Sequence, residues 1–271
     1  MIVAAEEIKV KLNNITVCYE DHGTGETPVL FVHGFPLNKS VWREQMDELQ
    51  KQHRVISYDI RGFGGSGSDA TDENMSLYAD DLIALLDHLK IDKVIACGIS
   101  MGGYILMNAV MRYAKRFKAL ILSDTQCIAD SFAMRDRRFA TIENIRTNGK
   151  AEFTEDFIKN SLGKSGTGNS ELINRLRTII ADNSSASIMR ALNAIRKREE
   201  MCFYLNKIMV PVLILCGKED TVTPLAQSEY LYNKLSFATL HCIENAGHLS
   251  NMEQPKEFNQ HLREFIEIIE K

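Results

Sequence analysis

The strongest constraint on the fold is a series of short, almost entirely apolar segments that alternate with amphipathic stretches along the chain. These segments are PVLFVHG, RVISYDIRG, KVIACGIS, KALILSD and VPVLILCG. A short segment that is apolar throughout is typical of a strand buried on both faces of a parallel sheet. Parallel neighbours must be joined by a crossover, and the intervening stretches have helical periodicity. The pattern therefore predicts a mostly parallel sheet with helices on both faces.

Further segments complete the predicted sheet. Residues 8–20 alternate apolar and polar side chains around Asn13 and Asn14, which predicts an antiparallel hairpin. The segment FATLHCIE predicts a last strand, so the sheet has eight strands in all. The periodic stretches predict helices at about 40–51, 76–89, 101–114, 225–234 and 255–270.

One long segment interrupts the alternation between the strands KALILSD and VPVLILCG. It contains no convincing strand, and its helix-like charged stretches include 129–147, 151–162 and 188–201. Roughly eighty residues of helix are too many for a linker and are typical of a lid inserted between two strands. We therefore predict a core domain formed by residues 1–124 and 210–271, with a helical cap formed by residues 125–209.

Composition limits the class of protein and of partner. The chain has 271 residues, 45% of them hydrophobic, which is enough for a sizeable core and argues against a disordered chain. Its formal net charge is -4, so no global positive field attracts nucleic acid or an anionic membrane. The N-terminal segment resembles no signal peptide, and no window approaches about eighteen apolar residues. We expect a cytoplasmic protein that binds neither nucleic acid nor a membrane. Its oligomeric state stays open, and a homodimer is one option.

The six cysteines show no metal-binding spacing, since no CxxC pair occurs. Two of them, Cys97 and Cys216, lie inside apolar strand-like segments. A free cysteine packs as a small apolar group. We therefore expect buried, reduced thiols at all six positions, which are Cys18, Cys97, Cys127, Cys202, Cys216 and Cys242.

A Gly-x-Ser-x-Gly pattern, centred on Ser100, lies between a predicted strand and a predicted helix. The pattern alone is common, but on a strand-to-helix turn the serine is forced into a strained backbone conformation and its neighbours must be small. The turn raises the hydroxyl above the sheet at a helix N-terminus, which favours a developing negative charge. We predict that Ser100 is a nucleophile; the alternative is a glycine-rich turn that merely packs tightly.

A serine nucleophile needs a base, and the base needs a carboxylate that orients it. His248 follows the last predicted strand, at the carboxyl edge where open α/β sheets build their sites. Asp220 follows the strand VPVLILCG and is the predicted acid, with Glu219 and Asp124 as rivals. Helix capping is the alternative role for Asp220.

The transition state of acyl transfer places negative charge on a former carbonyl oxygen, which needs fixed donors. We assign the backbone N–H groups of Met101, directly after the serine, and of Phe35 in the loop HGFP, since Pro36 has none. We expect His33 to shape this loop by hydrogen bonding. Candidates for the lining of the substrate pocket are His33, Gly34, Trp42, Asp124, Val222 and Leu249.

Taken together, these segments resemble the α/β-hydrolase superfamily. The motifs HGF, YDIRGFGGSG, GISMGG, GKEDTVTP and NAGHLSNMEQP stand in the family's order, as do Ser100, Asp220 and His248. The chain looks most similar to the small esterases, 3-oxoadipate enol-lactonases and cofactor-free haloperoxidases. This resemblance implies an α/β-hydrolase fold with a helical cap after strand six. Haloalkane dehalogenases and epoxide hydrolases carry aspartate at the position of Ser100, so acyl transfer is the chemistry implied here.

The expected function is hydrolysis of a small carboxylic ester or lactone through an acyl-enzyme, with no metal and no organic cofactor. Two other functions stay open: a ligand receptor or signalling module on the same fold, and a perhydrolase that makes peracids. The loop with Asp59 and Arg61 is expected to be structural. The basic clusters 135–138 and 196–198 are expected to be solvated helix faces.

Overall fold

The computed structural model describes residues 7–69 and 71–271, and an eight-stranded sheet forms its centre. Numbered in chain order, the strands are β1 (Ile8–Leu12), β2 (Ile15–His22), β3 (Val29–Val32), β4 (Val55–Tyr58), β5 (Val94–Ile99), β6 (Phe117–Ser123), β7 (Val212–Gly217) and β8 (Ala238–Ile243). They lie in the order β1-β2-β4-β3-β5-β6-β7-β8. The pairs β1–β2 and β2–β4 are antiparallel and the other neighbours are parallel. The predicted mostly parallel, eight-stranded sheet is confirmed.

The predicted N-terminal hairpin is also present. Leu12 pairs with Ile15 across a two-residue turn, in which Asn13 and Asn14 have φ angles of 44° and 65°. Positive φ at both turn residues matches the right-handed twist of paired strands, and asparagine tolerates this conformation better than most residues. The turn therefore fixes the register of the hairpin.

Helices cover both faces of the sheet. In chain order they are α1 (Arg43–Leu49), α2 (Met75–His88), α3 (Met101–Arg112), α4 (Phe132–Asn148), α5 (Ala151–Ser161), α6 (Ser170–Asp182), α7 (Ser185–Arg196), α8 (Leu225–Lys234), α9 (Ser250–Glu253) and α10 (Pro255–Glu270). Every residue of β3, β4, β5 and β7 is buried, as their apolar sequences predict. In the described parts of the chain, every helix is too short or too polar to cross a membrane.

The interruption after strand six is helical, as expected. Helices α4 to α7, here called the cap helices, all lie between β6 and β7, and the described residues of this interval contain no strand. Helix α6 did not appear among the helices predicted for this interval. Its buried side chains recur at helical spacing, which is the signal that locates it; they are Leu172, Leu176, Ile179 and Ile180. The division into domains at residues 125 and 210 stays a prediction.

The expectation of six reduced thiols is wrong for one pair. Cys127 and Cys202 form a disulfide with a Cα–Cα distance of 4.9 Å, although 75 residues separate them in sequence. The bond joins the two ends of the cap segment, and the Met201 N–H donates to the Cys127 carbonyl at 2.9 Å beside it. The spacing of the cysteines along the chain does not predict this pair, because only the folded structure brings the two residues together. The cytoplasmic location stays a prediction. The disulfide argues against it, because disulfides persist mainly in oxidising compartments.

Reduction of this disulfide is expected to lower the thermal stability. A cross-link that closes a loop of this length contributes about 2–4 kcal/mol to the free energy of unfolding. We expect a reductant to lower Tm by about 5–10 °C, measured by calorimetry with and without a phosphine reductant. The Cys127→Ser/Cys202→Ser variant should show no dependence on reductant, whereas Cys242→Ser, which removes a free thiol, should keep it. An unchanged Tm in the parent would contradict a stabilising role.

Candidate active site

Ser100 occupies the sharp turn between β5 and α3, with φ 53° and ψ -114°. A residue other than glycine reaches such a conformation at a cost of about 1–3 kcal/mol, so the surrounding structure must hold it there. The Ser100 N–H donates to the Ser123 carbonyl at 2.9 Å, and the Thr125 hydroxyl donates to the Ser100 carbonyl at 2.8 Å. The strained turn expected from the sequence is therefore present, and β6 supports it.

The turn can form only because Gly102 lets α3 approach the neighbouring strand. A Cβ atom at Gly102 would lie 2.2 Å from the Val32 carbonyl oxygen and 2.9 Å from that of His33. Those distances exclude any side chain at this position. The start of α3 is thus pressed against the end of β3, which sets the place of the Ser100 hydroxyl relative to the loop that follows β3.

The three residues predicted to act together meet in one hydrogen-bonded series. His248 Nε2 lies 2.9 Å from Ser100 Oγ, and His248 Nδ1 lies 2.8 Å from Asp220 Oδ2. They come from the turns after β5, β7 and β8, whose carboxyl ends lie at one edge of the sheet. His248 and Asp220 are buried, whereas Ser100 is half-buried. This geometry lets the imidazole accept the serine proton while the carboxylate holds the ring.

Asp220 is held by a set of donors that the sequence did not reveal. Its Oδ1 accepts the N–H groups of Val222 and Thr223 at 2.7 and 3.0 Å, and its Oδ2 accepts the Thr223 hydroxyl at 2.7 Å. The aspartate does not cap α8, which begins at Leu225. With its Nδ1–H directed at the carboxylate, His248 presents the lone pair of Nε2 to Ser100. A threonine three residues after the acid is the signal that points to this support.

Charge and burial set the titration of the pair. Burial by itself would lower the pKa of His248, but the charge of Asp220 and the hydrogen bond to it prevail, so the pKa lies above its ordinary value of 6.5. Burial would raise the pKa of Asp220, but His248 and Thr223 together hold it below its ordinary value. The pair therefore favours an ionised aspartate that stabilises a positive charge on the imidazole.

The rival acids have other partners. Asp124 is fully buried and accepts hydrogen bonds from the Gly217 N–H at 2.7 Å and from the hydroxyls of Ser123 and Ser250 at 2.7 and 2.5 Å. Burial, and then the charge of Asp220, raise the pKa of Asp124 to about 7. Glu219 Oε2 accepts the backbone N–H of Lys164 from the cap segment. Of the three acids, only Asp220 is hydrogen-bonded to His248 among the described residues.

The loop after β3 lies against the turn at Ser100. A Cβ atom on Gly34 would lie 3.2 Å from Ser100 Cβ, so this loop adjoins the serine directly. The N–H groups of Phe35 and Met101 have no protein acceptor within the described residues. His33 shapes the loop: its Nδ1–H donates to the Gly34 carbonyl at 2.9 Å, and its Nε2 accepts the Ile60 N–H at 2.9 Å.

Several of the residues expected to line a pocket are buried. Burial lowers the pKa of His33 to about 4, and both of its ring nitrogens are already bonded within the protein. Trp42 packs between Phe31 and Phe258 because its indole is too large and apolar to stay outside the core. Four of the pocket candidates are buried, namely His33, Trp42, Asp124 and Leu249, and their place in the pocket lining stays a prediction. Gly34 borders Ser100, and Val222 is exposed.

One cluster of metal-ligand types lies away from this site. Glu7, Cys18 and Asp59 group together within the described residues. The Lys39 ammonium lies between them, 2.7 Å from Glu7 Oε1 and 2.9 Å from Asp59 Oδ2. A lysine that balances both carboxylates occupies the place a cation would take. Asp59 also accepts the Gly65 N–H, in line with the structural role expected for its loop.

Comparison with known proteins agrees with the fold. Residues 27–255 match the family model for the α/β hydrolase fold. The chain belongs to the α/β-hydrolase family. It is 31% identical to 3-oxoadipate enol-lactonase 2 of Acinetobacter baylyi over 256 residues, 91% of each chain. It is 28% identical to 3-oxoadipate enol-lactonase 1 of that organism, over 94% of each.

A solved structure extends the likeness to three dimensions. A thermophilic esterase from Thermogutta terrifontis superposes with a TM-score of 0.93 at 32% identity, covering 98% of this chain and 100% of the esterase. The α/β-hydrolase core and the cap helices of this chain therefore both have counterparts in a protein described as an esterase.

The raised pKa of His248 gives a pH dependence that a serine-reactive fluorophosphonate can report. The reagent reacts with Ser100 only when His248 is neutral, so labelling should rise with pH, with a midpoint above 6.5. Asp220→Asn removes the charge that most strongly opposes the effect of burial on the pKa of His248. The midpoint should fall below that of the parent, and labelling should slow by at least about 100-fold. The rates are measured by mass spectrometry.

The matched control for this measurement is Asp92→Asn, which removes an exposed carboxylate remote from the site. It should keep both the parent rate and the parent midpoint. A parent midpoint at or below 6.5, or an unchanged midpoint in Asp220→Asn, would contradict the role given to the Asp220 carboxylate.

Proposed function

We propose that this chain is a serine hydrolase that cleaves a small carboxylic ester or lactone through an acyl-enzyme intermediate. The observation that carries the proposal is the hydrogen-bonded series Ser100–His248–Asp220, with distances of 2.9 and 2.8 Å, built on the strained turn after β5. Relatives described as enol-lactonases and as an esterase support the same bond type. Both names denote cleavage of a carboxylic C–O bond.

The first half of the reaction forms the acyl-enzyme. Ser100 Oγ attacks the carbonyl carbon of the substrate while His248 Nε2 takes the serine proton. The carbonyl oxygen becomes negative and is held by the N–H groups of Phe35 and Met101, which have no protein acceptor among the described residues. The C–O bond then breaks, and the departing alkoxide takes the proton from His248. For a lactone, the new hydroxyl stays attached to the acyl group.

The second half releases the acid. Water gives a proton to His248 Nε2 and attacks the acyl carbon, and the same two N–H groups stabilise the negative charge that forms again. Ser100 leaves with the proton from His248, and the carboxylic acid is free. Asp220 stays ionised throughout and holds the ring in the tautomer that both halves need.

The cap segment supplies a wall beside the oxyanion loop. The Phe153 ring of α5 lies 5.8 Å from the Phe35 ring, and the Phe157 ring lies 6.3 Å from Phe153. These aromatic side chains form an apolar surface against Phe35, whose N–H is one of the proposed oxyanion donors. We infer that the cap, residues 125–209, selects the acyl group and that this group is small and mainly apolar on this side.

The proposal is tested with purified protein, a series of short-chain p-nitrophenyl esters and a series of small lactones. We expect multiple turnovers with release of the free acid. The Ser100→Ala variant should lose at least about 10⁴-fold in kcat, because the nucleophile is gone while the fold is kept. The exposed Ser236→Ala serves as the matched control and should keep the parent rate. Full turnover by Ser100→Ala would refute the assignment.

The same assay separates the other functions that the fold permits. Release of one equivalent of alcohol followed by a stable acylated protein would contradict a hydrolase and favour a ligand receptor or signalling module. Hydrogen peroxide offered together with water distinguishes the two acyl acceptors. Peracid formation that exceeds hydrolysis would favour a perhydrolase.

A further inference from the structure

The motif NAGHLSNMEQP contains a carboxylate to which the reaction assigns no role. Glu253, at the end of α9, is half-buried, and its two oxygens bind two different segments. Oε1 accepts the Gly247 N–H at 2.8 Å, and Oε2 accepts the Gly163 N–H at 2.8 Å. Gly247 precedes His248 in residues 244–249, here called the histidine loop. Gly163 belongs to residues 161–164, here called the cap loop, which begins at the last residue of α5.

The backbones of the two loops are in direct contact. A Cβ atom on Gly247 would lie 2.4 Å from the Gly163 nitrogen and 2.8 Å from the Ser161 carbonyl oxygen. A Cβ atom on Gly163 would in turn lie 2.8 Å from the Gly247 nitrogen. Neither position tolerates a side chain without a shift of the opposite loop, so the contact depends on both glycines.

Hydrogen bonds extend this contact to the reacting side chains. The His248 N–H donates to the Ser161 carbonyl at 2.7 Å. Glu219, the neighbour of Asp220, accepts the Lys164 N–H through its side chain at 2.6 Å and donates its own N–H to the Ala246 carbonyl at 2.8 Å. The cap loop therefore touches both the loop that carries the base and the turn that carries the acid.

From this arrangement we propose that Glu253 is a positioning residue: its carboxylate clamps the cap loop to the histidine loop and thereby fixes the distance from the His248 ring to Ser100. The inference rests on the proposed function, because it concerns the base of that reaction. Only a carboxylate can accept one N–H group on each of its two oxygens. A glutamine amide in its place presents an N–H₂ group to one of them, and that contact becomes repulsive.

The clamp also limits how the cap can move. Displacement of the end of α5 would pull on the His248 backbone, since the Ser161 carbonyl is its acceptor. The cap is thus fixed at the cap loop, and access to the site has to come from another part of the cap segment. Glu253 does not touch Ser100, so the clamp acts on the placement of the base and leaves substrate contacts unchanged.

The test compares Glu253→Gln with Glu244→Gln in ester hydrolysis. We expect Glu253→Gln to lower kcat by at least about tenfold, because a small misplacement of the base slows proton transfer, while KM stays within about threefold. Fluorophosphonate labelling of Ser100 should slow by the same factor. Glu244 is an exposed residue of the same loop, paired with Lys218, so its variant controls for the lost charge and should keep the parent kcat.

A double-mutant cycle distinguishes a clamp from general destabilisation. Gly163→Ala disturbs the same contact, but from the cap loop. Its effect on kcat and the effect of Glu253→Gln should therefore be strongly non-additive in the double variant. Additive effects, or a Glu253→Gln protein that loses Tm but keeps kcat, would overturn the proposal. If Glu253→Gln does not fold, Gly163→Ala alone tests it: a kcat equal to that of the parent would overturn it. Absence of hydrolysis in the parent would instead refute the proposed function.

Discussion

The close approach of α3 to β3 is the contact on which the rest of the site depends. Because Gly102 leaves no room for a side chain against the Val32 carbonyl, the chain can turn sharply at Ser100 and hold the serine at φ 53°. The same contact brings the loop after β3 against the serine, where a Cβ atom on Gly34 would lie 3.2 Å from Ser100 Cβ. A substitution that moved α3 outwards would separate Ser100 from that loop.

Around this turn, the carboxyl edge of the sheet gathers buried charge that would be costly in isolation. The ionised Asp220 is stabilised by His248, Thr223 and the Val222 N–H, and the imidazole is stabilised in turn by Asp220. Asp124 lies in the same environment, and its pKa of about 7 reflects burial beside that charge. The three groups share one region of low dielectric, so the charge of one group affects the protonation of the other two.

The sequence predicted the elements of the core more closely than the contents of the pocket. Strands that are apolar throughout, the Ser100 turn and the order of the acid and base follow from local patterns, and the structure contains all of them in the expected places. Trp42 and His33 are buried, and their part in the pocket lining stays a prediction, because a residue next to a functional loop can face either the site or the core. The Cys127–Cys202 bond was missed because only the folded cap segment brings its two ends together.

By itself, the sequence determined the fold class, the strained serine and the chain order of Ser100, Asp220 and His248, because glycines at tight contacts and apolar strands constrain the backbone locally. Tertiary structure alone decided which acid meets His248, which of the candidate pocket residues are buried, and that Glu253 binds the cap loop and the histidine loop together. Those outcomes depend on distances between segments remote in sequence. Periodicity and spacing describe the neighbours of a residue along the chain, whereas hydrogen-bond partners and burial depend on its neighbours in space.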